Sequence, residues 1–202
     1  MGEETSVSET NDLPEPENPE VFRTCEDELV EQSDWNGLLE LYRRHAGSVD
    51  DDGIDLEGLA QRLEKMADQS ESDQEVSQIN VTLGDLYCHE LDEHQAAKNA
   101  YRAAFVTDKS NTRSLEKARR IYRAEDNYDL VLKLYELESQ VAETDAEKAN
   151  VLLRTAHVHG DWLGDPEIAL ELVEDALALV PEHRVAQQTR EIYQSGSTVA
   201  SE

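Results

Sequence analysis

The sequence predicts an all-α protein made of antiparallel helix pairs stacked in series, and three observations carry that prediction. From Val21 onward apolar residues recur at helical spacing. No alternating stretch is long enough for a strand. The chain also repeats itself: Asp34-Trp35-x-x-Leu38-Leu39-x-Leu41-Tyr42 returns 93 residues later as Asn127-Tyr128-x-x-Val131-Leu132-x-Leu134-Tyr135. Arg119-x-Ile121-Tyr122 returns 71 residues later as Arg190-x-Ile192-Tyr193, and Ala97 to Phe105 matches Ala169 to Leu177 as an Ala-rich helix leading to a turn.

In chain order, residues 1–20 carry seven acids, no base and three of the five prolines, with almost nothing apolar to bury, so a disordered acidic tail is expected. Met1, Gly2 and Ser6 fit a loose acylation pattern, but Glu3 and Glu4 would be repelled by an anionic membrane, and coincidence is the better reading. A divergent helical section spans 21–76. It holds a helix over Val21 to Glu31, then Ser33-Asp34 as N-cap for Trp35 to His45, with a stripe of Trp35, Leu38, Leu39, Leu41, Tyr42 and Ala46. After a loop around Asp50 to Gly53, the stripe Leu56, Leu59, Ala60, Leu63, Met66 and Ala67 marks another helix.

Repeats with a final capping helix are expected over 77–194, and a flexible tail over 195–202. The helices read Gln74 to Glu90, Glu93 to Val106, Asn111 to Arg123, Tyr128 to Val141 and Ala146 to Leu163. Asp165-Pro166 opens the next one, as an N-cap acid followed by a proline whose missing N–H costs nothing at the first helical position. Pro181 opens the last, to about Tyr193.

Leu83-Gly84-x-x-Tyr87, followed by Ala96, Ala103 and Asp108, resembles the tetratricopeptide repeat, a helix-turn-helix unit of about 34 residues. The resemblance covers Ser77 to Ser110 well. It is degraded over Asn111 to Ala142 and returns over Glu147 to Pro181 with about one residue inserted between the helices; the Trp35 region fits as the second helix of a divergent repeat. The resemblance implies a right-handed α-solenoid whose inner face is lined by the first helix of each pair and binds an extended peptide or a partner helix. Some relatives grip a terminal carboxylate with Lys, Asn and Arg on that face. Here Val81 and Asp85 stand at the corresponding face of the best repeat, against that specific activity.

Composition narrows the partner. The formal charge is −28, so a phosphate backbone or an anionic membrane surface would be repelled, and no apolar run approaches the roughly 20 residues a spanning helix needs. Neither nucleic acid nor membrane is expected, and the chain reads as a soluble, cytoplasmic protein. An apolar fraction of 38% suits a thin, elongated core. Cys25 and Cys88 lack metal-ligand spacing and read as reduced, partly buried thiols.

Chemistry finds little support. Asp50-Asp51-Asp52-Gly53-Ile54-Asp55 begins like a calcium loop, but the closing Glu would fall on Leu59, so a solvated acidic loop is the better reading. His157 and His159, two apart on a helix, point to different sides and share no metal readily, and His159 stands where Tyr87 stands in the best repeat, as a packing residue. No nucleophile elbow, Cys–His pair or phosphate loop appears, so no enzyme activity, cofactor or metal is expected.

One cluster runs against the overall charge: Arg113, Lys117, Arg119, Arg120 and Arg123 share a helix. The repeat register puts Thr112, Leu115, Arg119, Tyr122 and Arg123 on the groove beside Gln78, Val81, Asp85, Cys88 and His89. Two readings stand side by side. Arg119 and Arg123 pair with an acidic peptide, or they neutralise neighbouring acids. The expected binding residues are Gln78, Asp85, His89, Thr112, Arg119 and Arg123, and the expected function is a non-enzymatic scaffold or adaptor. The alternative is a structural subunit that packs against its own copies or a larger assembly.

Overall fold

The computed structural model describes residues 19–45 and 55–195. The acidic tail before Pro19, the Met1-Gly2-Ser6 pattern, Ala46, the loop at Asp50 to Gly53 and the tail beyond Ser195 lie outside the described residues. Among those described there are ten α-helices and no strand: α1 (Pro19–Glu31), α2 (Trp35–His45), α3 (Leu56–Gln69), α4 (Asp73–His89), α5 (His94–Thr107), α6 (Thr112–Ala124), α7 (Tyr128–Val141), α8 (Asp145–His157), α9 (Pro166–Leu179) and α10 (Arg184–Gln194). Successive helices pack on one another from α3 to α10, giving a helical-repeat solenoid.

Local chemistry sets the helix starts. Asp34 accepts the Gly37 N–H at 2.9 Å, as its N-cap role requires. Ser72 caps α4 through Glu75 N–H, and Asp55, at the end of the acidic loop, caps α3 through Gly58 N–H. Thr144 and Glu147 form a reciprocal capping box on α8, whose backbone N–H bonds hold the Glu147 carboxyl below its usual range.

Four boundaries differ from expectation. Pro19 and Glu20, expected in the tail, form the first turn of α1, where proline at an N-terminal helical position loses no hydrogen bond. Asp165 makes no capping bond; its carboxylate lies 3.7 Å from His159 Nδ1 instead. The last helix begins at Arg184 rather than at Pro181, because His183 is the cap, accepting the Ala186 N–H at 3.3 Å. The helix expected to run on to Leu163 changes at Val158 to a π-helical turn, Val158–Leu163. The interval from the start of α8 to the left-handed Gly164 nevertheless equals that from the start of α4 to Asp92, so the residue expected to be inserted between the helices of the third repeat is not found relative to the first.

A shared turn reveals the unit. Ser33, Asp92, Asp126 and Gly164 all have positive φ, between 54° and 74°, and each stands two positions before the second helix of a pair, α2, α5, α7 or α9. The next residue then donates its N–H back to the first helix: Asp34 to Leu29, Glu93 to Tyr87, Asn127 to Tyr122, Asp165 to His159. The pair α1–α2 therefore closes as the three recognisable repeats do. Because α2 also packs directly on α4, as α5 packs on α6 and α7 on α8, α3 is a supernumerary helix beside the junction.

The core is thin, as the low apolar fraction requires, and divided into clusters along the array. The largest joins Trp35, Leu38, Tyr42, Leu63, Ile79 and Leu86 from α2, α3 and α4. Smaller ones follow around Tyr101 and Ile121, around Val131 and Val158, and around Ala156, Val173 and Tyr193. Gly84 is a point of close approach: a Cβ there would stand 2.2 Å from the Tyr101 ring. Gly160 receives Tyr193 in the same way, from α10. Each glycine is followed by an aspartate that accepts the tyrosine hydroxyl, Asp85 at 2.8 Å and Asp161 at 3.4 Å. Burial and these carboxylates push both phenols well above their ordinary range.

Candidate partner-binding groove

The first helices of the three repeats, α4, α6 and α8, contribute side chains to two adjoining cavities separated by the loop between α5 and α6. The loop's residues divide between them. Asp108, Asn111 and Arg113 face the first cavity, and Lys109, Ser110 and Thr112 face the second.

The first cavity, of about 430 Å³, lies between the α1–α2 turn and α4; Asp34, Trp35 and Asn36 form one side, Gln78, Val81 and Asp85 another. The second, of about 490 Å³, is bounded by the end of α7 (Glu138, Val141) and by α8 (Glu147, Asn150, Arg154). Both fall within the roughly 300–1,000 Å³ typical of binding clefts.

The expected binding residues do not all meet. Gln78 and Asp85 line the first cavity and Thr112 lines the second, while His89, exposed at the end of α4, lines neither. Asp85 does not face Arg119, as the repeat register implied. Its partner is Lys117, whose Nζ lies 2.6 and 2.9 Å from its two oxygens. Nearby Cys88 is a half-buried free thiol; burial, then the Asp85 charge, pushes it above the ordinary thiol range.

Arg119 corrects the expectation most. It is only 4% exposed, with Nη1 2.7 Å from Glu138 Oε2 and its guanidinium 4.1 Å from the centre of the Tyr135 ring. It fastens α6 to α7 and presents no free charge to a ligand. Arg154 reaches the same glutamate from α8, so Glu138 ties three helices together. Arg123 is half-buried, with its guanidinium 5.2 Å from the Trp162 ring centre, and Trp162 stacks in turn on Tyr128. Arg120 pairs with Glu116 on its own helix. Of the five cations on α6, Arg113 alone has no acidic or aromatic partner among the described residues; it is exposed at the rim of the first cavity.

Sequence reasoning passed over Trp35 as a groove residue. It stands in the core stripe and is 4% exposed, yet it also walls the first cavity, and its indole N–H has no acceptor among the described residues. Asn36, Gln74 and Arg113 were missed as well. The left-handed turn at Ser33, which swings the start of α2 toward α4, is what brings Asn36 to the cavity. His157 bonds Asp161 at 3.2 Å and lies 3.4 Å from the Tyr193 hydroxyl, while His159 turns toward Asp165. No group of three metal-ligating side chains occurs among the described residues. No helix among them is long and apolar enough to cross a membrane.

Fold and groove define a helical-repeat solenoid of tetratricopeptide-like design. No protein-family model matches the chain, and no curated protein matches it. Similarity appears at the level of structure. One crystal structure of MamA, a tetratricopeptide-like helical-repeat protein, matches with a TM-score of 0.50 at 14% identity, over 85% of this chain and 83% of that one. A second MamA crystal structure matches with a TM-score of 0.46, also at 14% identity, over 88% and 81%. At such identity the likeness to the first concerns the fold alone.

Proposed function

We propose that this protein is a non-enzymatic interaction scaffold that holds an extended segment of a partner protein in the groove over α4, α6 and α8. The observation that carries the reading is the pair of adjoining cavities on either side of the α5–α6 loop. In the first of them the side chains of Asn36, Gln74, Gln78 and Arg113 have no hydrogen-bond partner among the described residues. A surface that leaves amide and guanidinium groups unengaged around a cleft is ready to bond a peptide main chain. The test is to select peptides from a random displayed library on the intact protein, then measure their affinity for Gln78→Tyr, which narrows the first cavity. Asn99→Tyr, on α5 and outside both cavities, serves as control. The reading requires Gln78→Tyr to weaken binding by about tenfold and Asn99→Tyr to leave it unchanged; equal affinities would refute it.

A second reading, assembly with further copies of the chain, draws on apolar side chains left exposed by the last two described helices. Val185 on α10 is 52% exposed, and Ile168 on α9 is 43% exposed.

A further inference from the structure

The groove's charge is the reverse of what its arginine-rich helix suggests. Lys117 is held by Asp85, Arg119 by Glu138, Arg120 by Glu116, and Arg123 lies on Trp162. Three aspartates line the first cavity, and Arg113 is the one cation among its lining residues. With Asp85 neutralised by Lys117, two carboxylates remain. Asp34 spends Oδ1 on the Gly37 N–H, and Asp108 spends Oδ1 on the N–H and hydroxyl of Ser110. The Oδ2 of each has no hydrogen-bond partner among the described residues, so each carboxylate keeps an acceptor for an arriving cation, although that of Asp34 lies close over Gly37.

A second, independent feature marks the same cavity. Trp35 stands in its wall, 4% exposed, with its indole N–H buried and without an acceptor among the described residues. A buried donor without an acceptor is costly, and an acceptor group that reaches it offsets that cost. A basic residue of a peptide supplies both complements: a cationic side chain for the carboxylates and a main-chain carbonyl for the indole N–H. The whole chain, at −28, also steers cationic partners toward itself.

We infer that the cavity between the α1–α2 turn and α4 is the subsite for a Lys or Arg side chain, so that the segment held in the groove is basic. This rests on the groove reading above and adds the chemistry of its ligand.

The probes are two fluorescein-labelled, end-blocked peptides of about eight residues, alternating Lys–Ala and alternating Glu–Ala, titrated at about 0.15 M salt where long-range attraction is largely screened. Trp162→Phe leaves Trp35 as the sole tryptophan, so its emission reports on this cavity. Asp34→Asn with Asp108→Asn removes both charges while keeping the amide-side oxygens that cap Gly37 and Ser110. Glu171→Gln with Asp175→Asn removes the same charge from the exposed face of α9.

The expected result is binding of the Lys–Ala peptide with a change in Trp35 emission, and a loss of about tenfold or more in the first double variant alone. Equal loss in both double variants would show attraction by net charge only and overturn the inference. Preference for the Glu–Ala peptide through Arg113, or binding without a Trp35 response, would also overturn it. In each of those cases the groove reading stands if Gln78→Tyr still blocks selected peptides. If Gln78→Tyr blocks nothing, both readings fall.

Discussion

Arg119 shows how one side chain can change role between sequence and structure. Its position on α6 gives it the groove-facing register, but its length lets it fold back over Tyr135 to Glu138, where both charges are largely withdrawn from water. Removing one member of a buried pair leaves the other uncompensated. Arg119→Ala should therefore destabilise the protein by about 3 kcal/mol, at the lower end of the range for such pairs because Arg154 still reaches Glu138. A loss of less than about 1 kcal/mol in the unfolding free energy from urea titration would mean the pair is not structural. Helical spacing told which stripe Arg119 occupies, but not that its acid would come from the following helix, 19 positions on. The tyrosine pockets were half legible. Gly84 stands in the repeat signature and its tyrosine comes from the next helix, whereas Gly160-Asp161 repeats the Gly-Asp pair but takes its tyrosine, Tyr193, from α10, beyond α9, where no local pattern points.

At the scale of elements, the helices were legible wherever an apolar stripe met a cap, and α2 and α7 were predicted to the residue. What local pattern missed was the departure from α geometry at Val158, since a π turn keeps the same apolar composition while changing only the hydrogen-bond step. The common turn was also overlooked. Ser33-Asp34, Asp92-Glu93, Asp126-Asn127 and Gly164-Asp165 share small or acidic residues, but only the backbone reveals that the first of each is left-handed. Such a conformation costs a residue with a Cβ roughly 1–2 kcal/mol, part of which glycine gives back through its larger unfolded-state entropy. Ser33→Gly and Asp126→Gly should each stabilise the protein by about 0.5 kcal/mol, raising the melting temperature additively since the turns are in separate pairs. A drop in melting temperature for either would show that its side chain matters more than its dihedral, since each makes one side-chain hydrogen bond: Ser33 donates to Glu75 and Asp126 accepts the Tyr128 hydroxyl.

For the whole molecule, a core split into successive clusters means that each pair is stabilised chiefly by its neighbours, as in other solenoids. α10, the last described helix, leaves Val185 exposed, and charge opposes association there. At −28, two copies repel one another, and salt screens that repulsion. Light scattering at low ionic strength should give the monomer mass of 22.8 kDa across the accessible concentration range. Association that grows with salt and disappears in Val185→Glu would instead install the assembly reading. The fold class was legible at this scale because repetition is a property of sequence. The groove's chemistry was not, because it depends on which charges cancel across helices distant in the chain.

The π turn has a bearing on how two repeats reach the same length by different routes. From the start of α4 to the left-handed Asp92, and from the start of α8 to Gly164, the chain spans the same interval, so α5 and α9 begin at equivalent places. The first repeat leaves its helix after His89 and completes the interval as an open turn, whereas the third keeps Val158–Leu163 wound as a widened helical turn. An open turn and a widened helical one are thus interchangeable ways of closing a pair, and both return the chain to the same backbone bond, from Glu93 to Tyr87 or from Asp165 to His159.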